Sequence, residues 1–408
     1  MKAFFLVLLM WVLISPGCTR QEEYNDPGLK EKSARLVTEN NHFGLDFFRE
    51  VYAQEKEMPN IMVSPLSAAL ALAMTYNGAE AGTREAMEKT LRFNGFTREE
   101  INASFHSLVN ALQSADDKVL LEIANAIYYR QGFQVEENFV AVNRKYYNAW
   151  VTGLDFGSPA SLEVINGWVK EKTHGKIPSI LDRISCDHVM FLLNAIFFKG
   201  VWTKEFNPKA TARAMFTTGD GRQIETEMMN RNDTLDYLRN DLFSAIRLPY
   251  GKGDYNMVVI LPLPEQSLSR LVEQLTAEKW KQWTKGFAET KDVEISLPKL
   301  KYSYDILLND VLTRMGMGVA FTDGADFSGI NRAGGLRIDF VKQKSYLEVN
   351  EEGTEAAAAT IVAIEKTSFN PQKIRFIVNR PFLFAITEKS TNAILFVGTV
   401  KDPLSGGK

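Results

Sequence analysis

The stretch NEEGTEAAAATIVAIEKTSF, from Asn350 to Phe369, is compatible with two different secondary structures. Four consecutive alanines, with glutamates before them and a lysine after them, favour a helix. Alternate positions, however, form an uncharged face that suits a buried strand, because successive strand side chains point to opposite sides. That face consists of Thr354, Ala356, Ala358, Thr360, Val362 and Ile364. The opposite face carries charge only at its ends. The segment alone does not distinguish helix from strand, so the rest of the sequence is needed to interpret it.

The segments around this stretch predict a domain of the α+β class. Residues 336–349 read as a long strand that runs into the stretch without a turn signal. Helices are predicted for much of residues 34–112, including one with Thr83 as its N-cap, and another for residues 304–315. Strands predominate after the first third of the chain. This arrangement predicts one domain with large sheets and a helical cap.

The N-terminal residues predict export. Residues 1–17 resemble a lipoprotein-type signal peptide, and we expect lipidation of Cys18, with a plain secretion signal as the alternative. Polar residues 18–33 predict a tether, followed by one domain over residues 34–405. Cys186 is the only other cysteine, so no internal disulfide is expected. The expected location is the outer membrane or cell surface, otherwise the periplasm or the extracellular space, with the lipid anchor as the sole membrane contact.

Composition and motifs argue against several classes of function. The net charge is −3 and no block of lysine and arginine occurs, so no nucleic-acid partner is expected. The four histidines lack metal-ligand spacing, and the chain has no G-x-S-x-G elbow, Walker loop or GxGxxG after a strand. We therefore expect no metal, no cofactor and no enzymatic activity. A carboxylate pair among the 50 acidic residues is the alternative that an enzyme would require.

Five separated stretches, taken in order, resemble the serpin family. They include NIMVSPLSAALALAMTYNGAEAGTREAM (residues 60–87), LLNAIFFKGVWTKEFNP (192–208) and FIVNRPFLFAITEKSTNAILFVGTV (376–400). The likeness, which is strongest to a bacterial member, spans the domain as far as Pro403. It implies a metastable serpin fold with three β-sheets, about nine helices and an exposed reactive-centre loop at about residues 351–373.

The resemblance implies a use for the opening stretch. In inhibitory serpins a protease cuts the loop, which then inserts as a new strand into the middle of a large sheet. Gly353 would allow the backbone to bend where insertion starts. The implied hinge consists of Gly353, Thr354, Glu355, Ala356, Ala357, Ala358 and Ala359. The uncharged alternate face would then serve the buried end state.

The family spacing also implies the bond that is cut. Fourteen residues after Gly353, this bond is Thr367–Ser368. Thr367 suits elastase-like proteases, whereas Lys366 suits trypsin-like proteases or lysine-specific cysteine proteases, so Lys366–Thr367 is expected as a second site. Alternatively, Lys366 is a solvated loop charge. The implied partners are target proteases held in a covalent complex by a monomeric inhibitor. The alternative function is a non-inhibitory serpin that acts as a surface binding protein or chaperone.

Opening of the sheet is implied to depend on residues that resemble the family's shutter, namely Ser64, Ser67 and Asn194. Gln343 stands where the family often has histidine, and because glutamine cannot become cationic, opening should depend less on pH at this site. Trp202 resembles the family residue at the upper end of the sheet, where insertion begins. The alternatives are helix capping and buried hydrogen bonding for the polar residues and a core position for Trp202.

Overall fold

The structure is a computed structural model that describes residues 27–185, 187–354 and 373–407. Several predicted features lie outside the described residues: the signal peptide, Cys18, Cys186, hinge residues 355–359, and Lys366, Thr367 and Ser368. Nine α-helices occur in the described part of the chain. They are α1 (Pro27–Gln54), α2 (Pro65–Tyr76), α3 (Ala81–Leu91), α4 (Arg98–Ser114), α5 (Glu137–Tyr147), α6 (Pro159–Lys172), α7 (Leu268–Glu273), α8 (Ala277–Lys285) and α9 (Asn309–Leu312).

Local sequence signals explain where two of these helices begin. The Thr97 side chain accepts a hydrogen bond from the backbone of Glu100, whose carboxylate accepts one from the backbone of Thr97, so a capping box starts α4. Ser64 caps α2, and Pro65 occupies the first helical position. Helix α1 begins at Pro27, so the last residues of the predicted tether are helical.

Fifteen strands occur in the described residues. They are β1 (Asn60–Val63), β2 (Val119–Arg130), β3 (Trp150–Leu154), β4 (Met190–Val201), β5 (Ala212–Thr217), β6 (Gln223–Arg239), β7 (Phe243–Tyr250), β8 (Tyr255–Pro262), β9 (Ala288–Pro298), β10 (Leu300–Leu307), β11 (Lys342–Val349), β12 (Gly353–Thr354), β13 (Arg375–Ile377), β14 (Phe382–Glu388) and β15 (Ile394–Val400). One six-stranded sheet has the order β10-β11-β12-β4-β2-β3. The other strands form a nine-stranded sheet with the path β1-β15-β14-β8-β7-β6-β9-β13, with β5 paired to β6.

The long strand β6 divides the nine-stranded sheet into two parts. Its residues 223–228 pair with β5 and residues 228–237 pair with β9, whereas residues 237–239 pair with β7. Strands β5, β9 and β13 thus lie at one part of the sheet, and β7, β8, β14, β15 and β1 at the other. Counted this way, the molecule has the three sheets and the mixed α+β class that the resemblance implied.

The six-stranded sheet is covered on both faces. Helix α2 contacts β4 on one face and also reaches β15, so it lies in the main core between the two sheets. Helix α6 covers β2 and β4 on the other face over a second apolar cluster that includes Ile165, Val169, Phe191 and Leu193. No helix within the described residues has the length and apolar character that a bilayer span requires.

Three local predictions were wrong. Residues 304–307 belong to β10 rather than to a helix, because their alternate side chains are buried and Tyr304 pairs with Ser345 of β11. The predicted strand over residues 336–349 begins only at Lys342. Thr83 lies inside α3, where its hydroxyl accepts a hydrogen bond from the Asp326 backbone, so it serves tertiary packing instead of capping.

Candidate functional site

Strands β4 and β11 of the six-stranded sheet are joined through the two-residue strand β12. Thr354 pairs with Val349 on β11 and with Gly200 on β4. Within the described residues, β4 and β11 are not paired with each other. A cavity of about 730 Å³ lies along these two strands and α2. We call the space between β4 and β11 the central gap, and its end at β12 the upper end.

A tight turn leads from β11 into β12. The side-chain oxygen of Asn350 accepts hydrogen bonds from the backbone of Glu352 at 3.0 Å and of Gly353 at 3.2 Å. Gly353 has a φ of +154°, and a Cβ at this position would lie 2.1 Å from the carbonyl oxygen of Gly200. Only glycine fits so close to the neighbouring backbone. The predicted hinge position therefore requires glycine, because any side chain there would clash with the backbone of β4.

Thr354 points into the core at the upper end of the gap. Its side chain is buried, and its hydroxyl lies 2.6 Å from the hydroxyl of Tyr250. The Tyr250 ring stacks on Trp202 with centroids 4.4 Å apart, and the Trp202 indole N–H donates to the carbonyl of Asn350 at 3.0 Å. Burial raises the pKa of Tyr250, so its hydroxyl stays protonated. The structure therefore places Trp202 and Thr354 in one cluster.

Two adjacent glutamates precede the hinge in opposite electrostatic environments. Burial alone would raise the pKa of Glu351, but hydrogen bonds from Thr211 at 2.7 Å and from the Lys299 ammonium at 2.9 Å lower it overall. The pKa of Glu352 is raised, first by burial and then by the negative charges of Glu205 and Glu351. One oxygen of Glu352 is buried without a hydrogen-bond partner in the described residues. Glu351 therefore anchors the turn, whereas the charge of Glu352 is unfavourable there.

Gln343 connects β11 to the start of α2. Its side-chain oxygen accepts a hydrogen bond from the Ser64 backbone, and its amide donates to the Ser64 carbonyl, each at 2.9 Å. The Ser64 hydroxyl donates to the carbonyl of Leu395 at 2.7 Å and accepts from the backbone of Ser67 at 3.2 Å. Ser64, Ser67 and Gln343 thus share one buried network that holds β11 against the core.

Asn194 lies on the other side of the gap and outside that network. Its amide donates to the side-chain oxygen of Asn125 at 2.7 Å, and Asn125 donates to the carbonyl of Tyr147 at 2.8 Å. The side-chain oxygen of Asn194 is buried and has no hydrogen-bond partner within the described part of the chain. Asn194 and Gln343 line the same cavity from opposite strands.

Sequence reasoning missed four residues that hold this site together: Tyr250, Asn125, Glu351 and Lys299. Tyr250 begins the YGKGD segment, which signals a hairpin turn and nothing more. No local pattern connects it with Thr354. Glu351 and Lys299 could not have been singled out among so many charged residues. Within the described ranges, no group of three or more potential ligands could hold a metal ion.

Comparisons with known proteins agree with this architecture. A family model described as "Serpin (serine protease inhibitor)" matches residues 38–403. The chain is 34% identical to the leukocyte elastase inhibitor of Homo sapiens, over 90% of this chain and 100% of that protein. Its fold is similar to the native state of the thermophilic serpin tengpin, with a TM-score of 0.83, 34% identity and coverage of 90% and 94%. It is also similar to thyroxine-binding globulin in complex with thyroxine, with a TM-score of 0.81, 26% identity and coverage of 91% and 100%.

Proposed function

Because the chain belongs to the serpin family, we propose that it traps endopeptidases by suicide cleavage of its reactive-centre loop, followed by insertion of the cut loop into the central gap. The single observation that carries this proposal is the position of Thr354 between β11 and β4. The first inserting residue already has a strand on each side and its side chain in the core. A cavity lies further along the same two strands, lined by residues 189–196 on one side and 341–345 on the other.

The register of β12 supports insertion of the rest of the loop. Continued residue by residue, it would pair Thr360 with Asn194 on β4 and with Gln343 on β11. It would then pair Ile364 with Met190, the first residue of β4. The even-numbered face would point inward with Thr354, and the hydroxyl of Thr360 could donate to the unpartnered oxygen of Asn194. The strand that ends at Ile364 would fill the length of β4.

The free energy of such an insertion is large enough to act on an attached protease. About ten residues would gain hydrogen bonds on both edges, at roughly 0.5–1.5 kcal/mol net for each bond. The sum is on the order of 10 kcal/mol, which is comparable to the stability of an ordinary domain. On this account the uncut protein is kinetically trapped above its most stable state.

The proposed cleavage follows ordinary acyl transfer. The nucleophilic hydroxyl or thiol of the protease attacks the carbonyl carbon of Thr367, the Thr367–Ser368 bond breaks, and the amine of Ser368 leaves. The acyl bond then joins Thr367 to the protease, and insertion displaces and distorts the enzyme before water can hydrolyse it. Lys366–Thr367 is the second proposed bond, because a shift of one residue changes the inserted length by only about 3.3 Å. Elastase-like and trypsin-like enzymes are accordingly the proposed targets.

For the location, we propose an exported monomer attached to a membrane through lipidated Cys18. The support is the N-terminal sequence pattern, since residues 1–26 lie outside the described residues. N-terminal mass analysis tests this point. A diacyl or triacyl cysteine supports the anchor, and an unmodified N-terminus after cleavage of the signal argues for plain secretion.

The decisive experiment is incubation of the purified protein with elastase and with trypsin. We expect a denaturant-resistant complex, a released peptide that begins at Ser368 or Thr367, and a cut protein that melts at a higher temperature than the uncut one. Complete cleavage without a complex would favour the second candidate, a non-inhibitory binding protein or chaperone. The similarity to thyroxine-binding globulin, which is named for a ligand, is the observation in favour of that candidate.

A further inference from the structure

The central gap has a second contact across it, far from β12. The Nε2 atom of His188, two residues before β4, lies 2.9 Å from a carboxylate oxygen of Asp339, three residues before β11. Both residues line the cavity that runs along the two strands. We call this end of the gap the lower end and this hydrogen bond the lower contact. It joins the segments that lead into β4 and β11.

The surroundings of His188 fix the direction of this hydrogen bond. The backbone N–H of Ser185 donates to Nδ1 of His188 at 3.0 Å, so Nδ1 is an acceptor. In the neutral ring Nε2 then carries the hydrogen and donates to Asp339. The His188 side chain is only 11% exposed, whereas that of Asp339 is 60% exposed. The imidazole of His188 is therefore fixed by its buried surroundings, and the exposed carboxylate of Asp339 contacts it from the other side of the gap.

An aromatic cluster holds the ring in place on the α6 face of the sheet. The His188 ring lies 5.1 Å from Phe191 of β4 and 5.6 Å from Phe340, with an edge-to-face geometry in both cases. Phe191 and Phe340 are themselves 6.1 Å apart, so they also face each other from the two sides of the gap. The ring is thus restrained from two sides, and its Nε2 atom is directed at Asp339.

We propose that His188 is a positioning residue for loop insertion, which keeps the lower ends of β4 and β11 together until the inserting strand arrives. This inference rests on the proposed function. Two strands with a third between them are about 10 Å apart, twice the usual spacing of neighbours. A strand inserted as far as the lower end would lie between the segments that His188 and Asp339 join, so it has to displace the hydrogen bond between these two side chains. The lower contact stabilises the uncut state and is absent when the lower end has opened, so it slows the last stage of insertion.

Three variants separate the hydrogen bond from the packing of the ring. His188→Phe keeps an aromatic ring against Phe191 and Phe340 but removes the donor, and Asp339→Ala removes the acceptor. His188→Gln is the conservative control, because its amide nitrogen can replace Nε2 as a donor to Asp339. The measurement is the rate at which the acyl-enzyme complex formed with elastase at pH 7.5 becomes resistant to hydrolysis, because this resistance follows insertion and not acylation. We expect His188→Phe and Asp339→Ala each to raise this rate about fivefold, the effect of one ordinary hydrogen bond.

The controls distinguish this role from a general structural one. His188→Gln should restore the rate to within about twofold of the wild type, and His188→Phe combined with Asp339→Ala should be no faster than either single variant. The melting temperature of the uncut protein should fall in the two fast variants, whereas that of the cut protein should not change. Equal rates in the wild type and both fast variants, or an equal loss of stability in the cut and uncut forms, would overturn the inference. Failure of the wild type itself to form a complex would instead count against the proposed function.

Discussion

The hydroxyl groups of Tyr250 and Thr354 lie 2.6 Å apart, although 104 residues separate them in the sequence. This contact sets the orientation of the first inserting residue. It directs the side chain of Thr354 into the core, and with it the even-numbered face of the loop that follows. The even-numbered side chains of the loop are therefore expected to face the core after insertion, and substitutions on the two faces test this.

Replacement of Thr354 by arginine should convert the protein from an inhibitor into a substrate. Thr354 is only 4% exposed, and a buried guanidinium without a partner is costly, so insertion should stall at its first step. We expect cleavage by elastase to continue while the covalent complex disappears on denaturing gels. Glu355→Arg is the matched control, because the next position belongs to the opposite face. Unchanged complex formation by Thr354→Arg would contradict the insertion mechanism.

Removal of the Tyr250 hydroxyl should destabilise the uncut protein. In Tyr250→Phe the buried hydroxyl of Thr354 loses its partner, and the free energy of unfolding should fall by about 1 kcal/mol. Denaturant unfolding at neutral pH measures this change. Thr354→Val should have a similar effect, and the two substitutions together should cost less than their sum, because they remove the same contact. Strict additivity would show that the two hydroxyls do not interact.

Substitutions of Gln343 should show how strongly β11 is held to α2. Gln343→Leu leaves the buried backbone N–H of Ser64 without a partner. It also removes one of two hydrogen bonds to the Ser64 carbonyl, which keeps the bond from the Ala68 backbone, so the free energy of unfolding should fall by about 2 kcal/mol. Gln343→His should make stability depend on pH at this position. A buried imidazole that accepts from Ser64 favours its neutral form, so its contribution is present at pH 7.5 and lost at pH 5. We expect the melting temperature of Gln343→His, relative to that of the wild type, to be lower at pH 5 than at pH 7.5.

Glu352→Gln should stabilise the uncut protein at neutral pH. The pKa of Glu352 is raised by burial and by the charges of Glu205 and Glu351, so its ionised form is less favourable in the folded state than in the unfolded one. That unfavourable term is absent below the unfolded pKa and grows as the pH rises through the raised, folded one. We expect a higher melting temperature for the variant at pH 7.5 and no difference at pH 4.

Glu351→Gln is the matched comparison for this measurement. The pKa of Glu351 is lowered overall, because its hydrogen bonds from Thr211 and Lys299 outweigh its burial. Its ionised form therefore stabilises the fold above the unfolded pKa, and this contribution is lost as the pH falls through the lowered one. The same amide substitution should thus lower the melting temperature at pH 7.5. A shift of the same sign for both variants would contradict the opposite environments of the two carboxylates.

Local sequence patterns were sufficient to predict the family, the α+β class and the alternation of the loop. The family motifs and the uncharged alternate face are local, so each can be read from a few neighbouring residues. The same local reasoning failed at residues 304–307, which form a strand because they pair with β11. It also failed at Thr83, whose hydroxyl is used by the distant Asp326. In both cases a contact formed by the folded chain outweighed the local propensity.

The grouping of the functional residues depends on long-range contacts in the folded chain. Ser64, Ser67 and Gln343 share one network on β11 and α2. Asn194, on the other side of the gap, is instead bonded to Asn125 of the adjacent strand β2. The lower contact of His188 with Asp339 likewise joins residues that are 151 positions apart. The order of strands in a sheet, and therefore which side chains meet across a gap, depends on long-range pairing and packing. That information is held by the whole fold and not by any short segment, since the free energy of each contact exists only once both partners are in place.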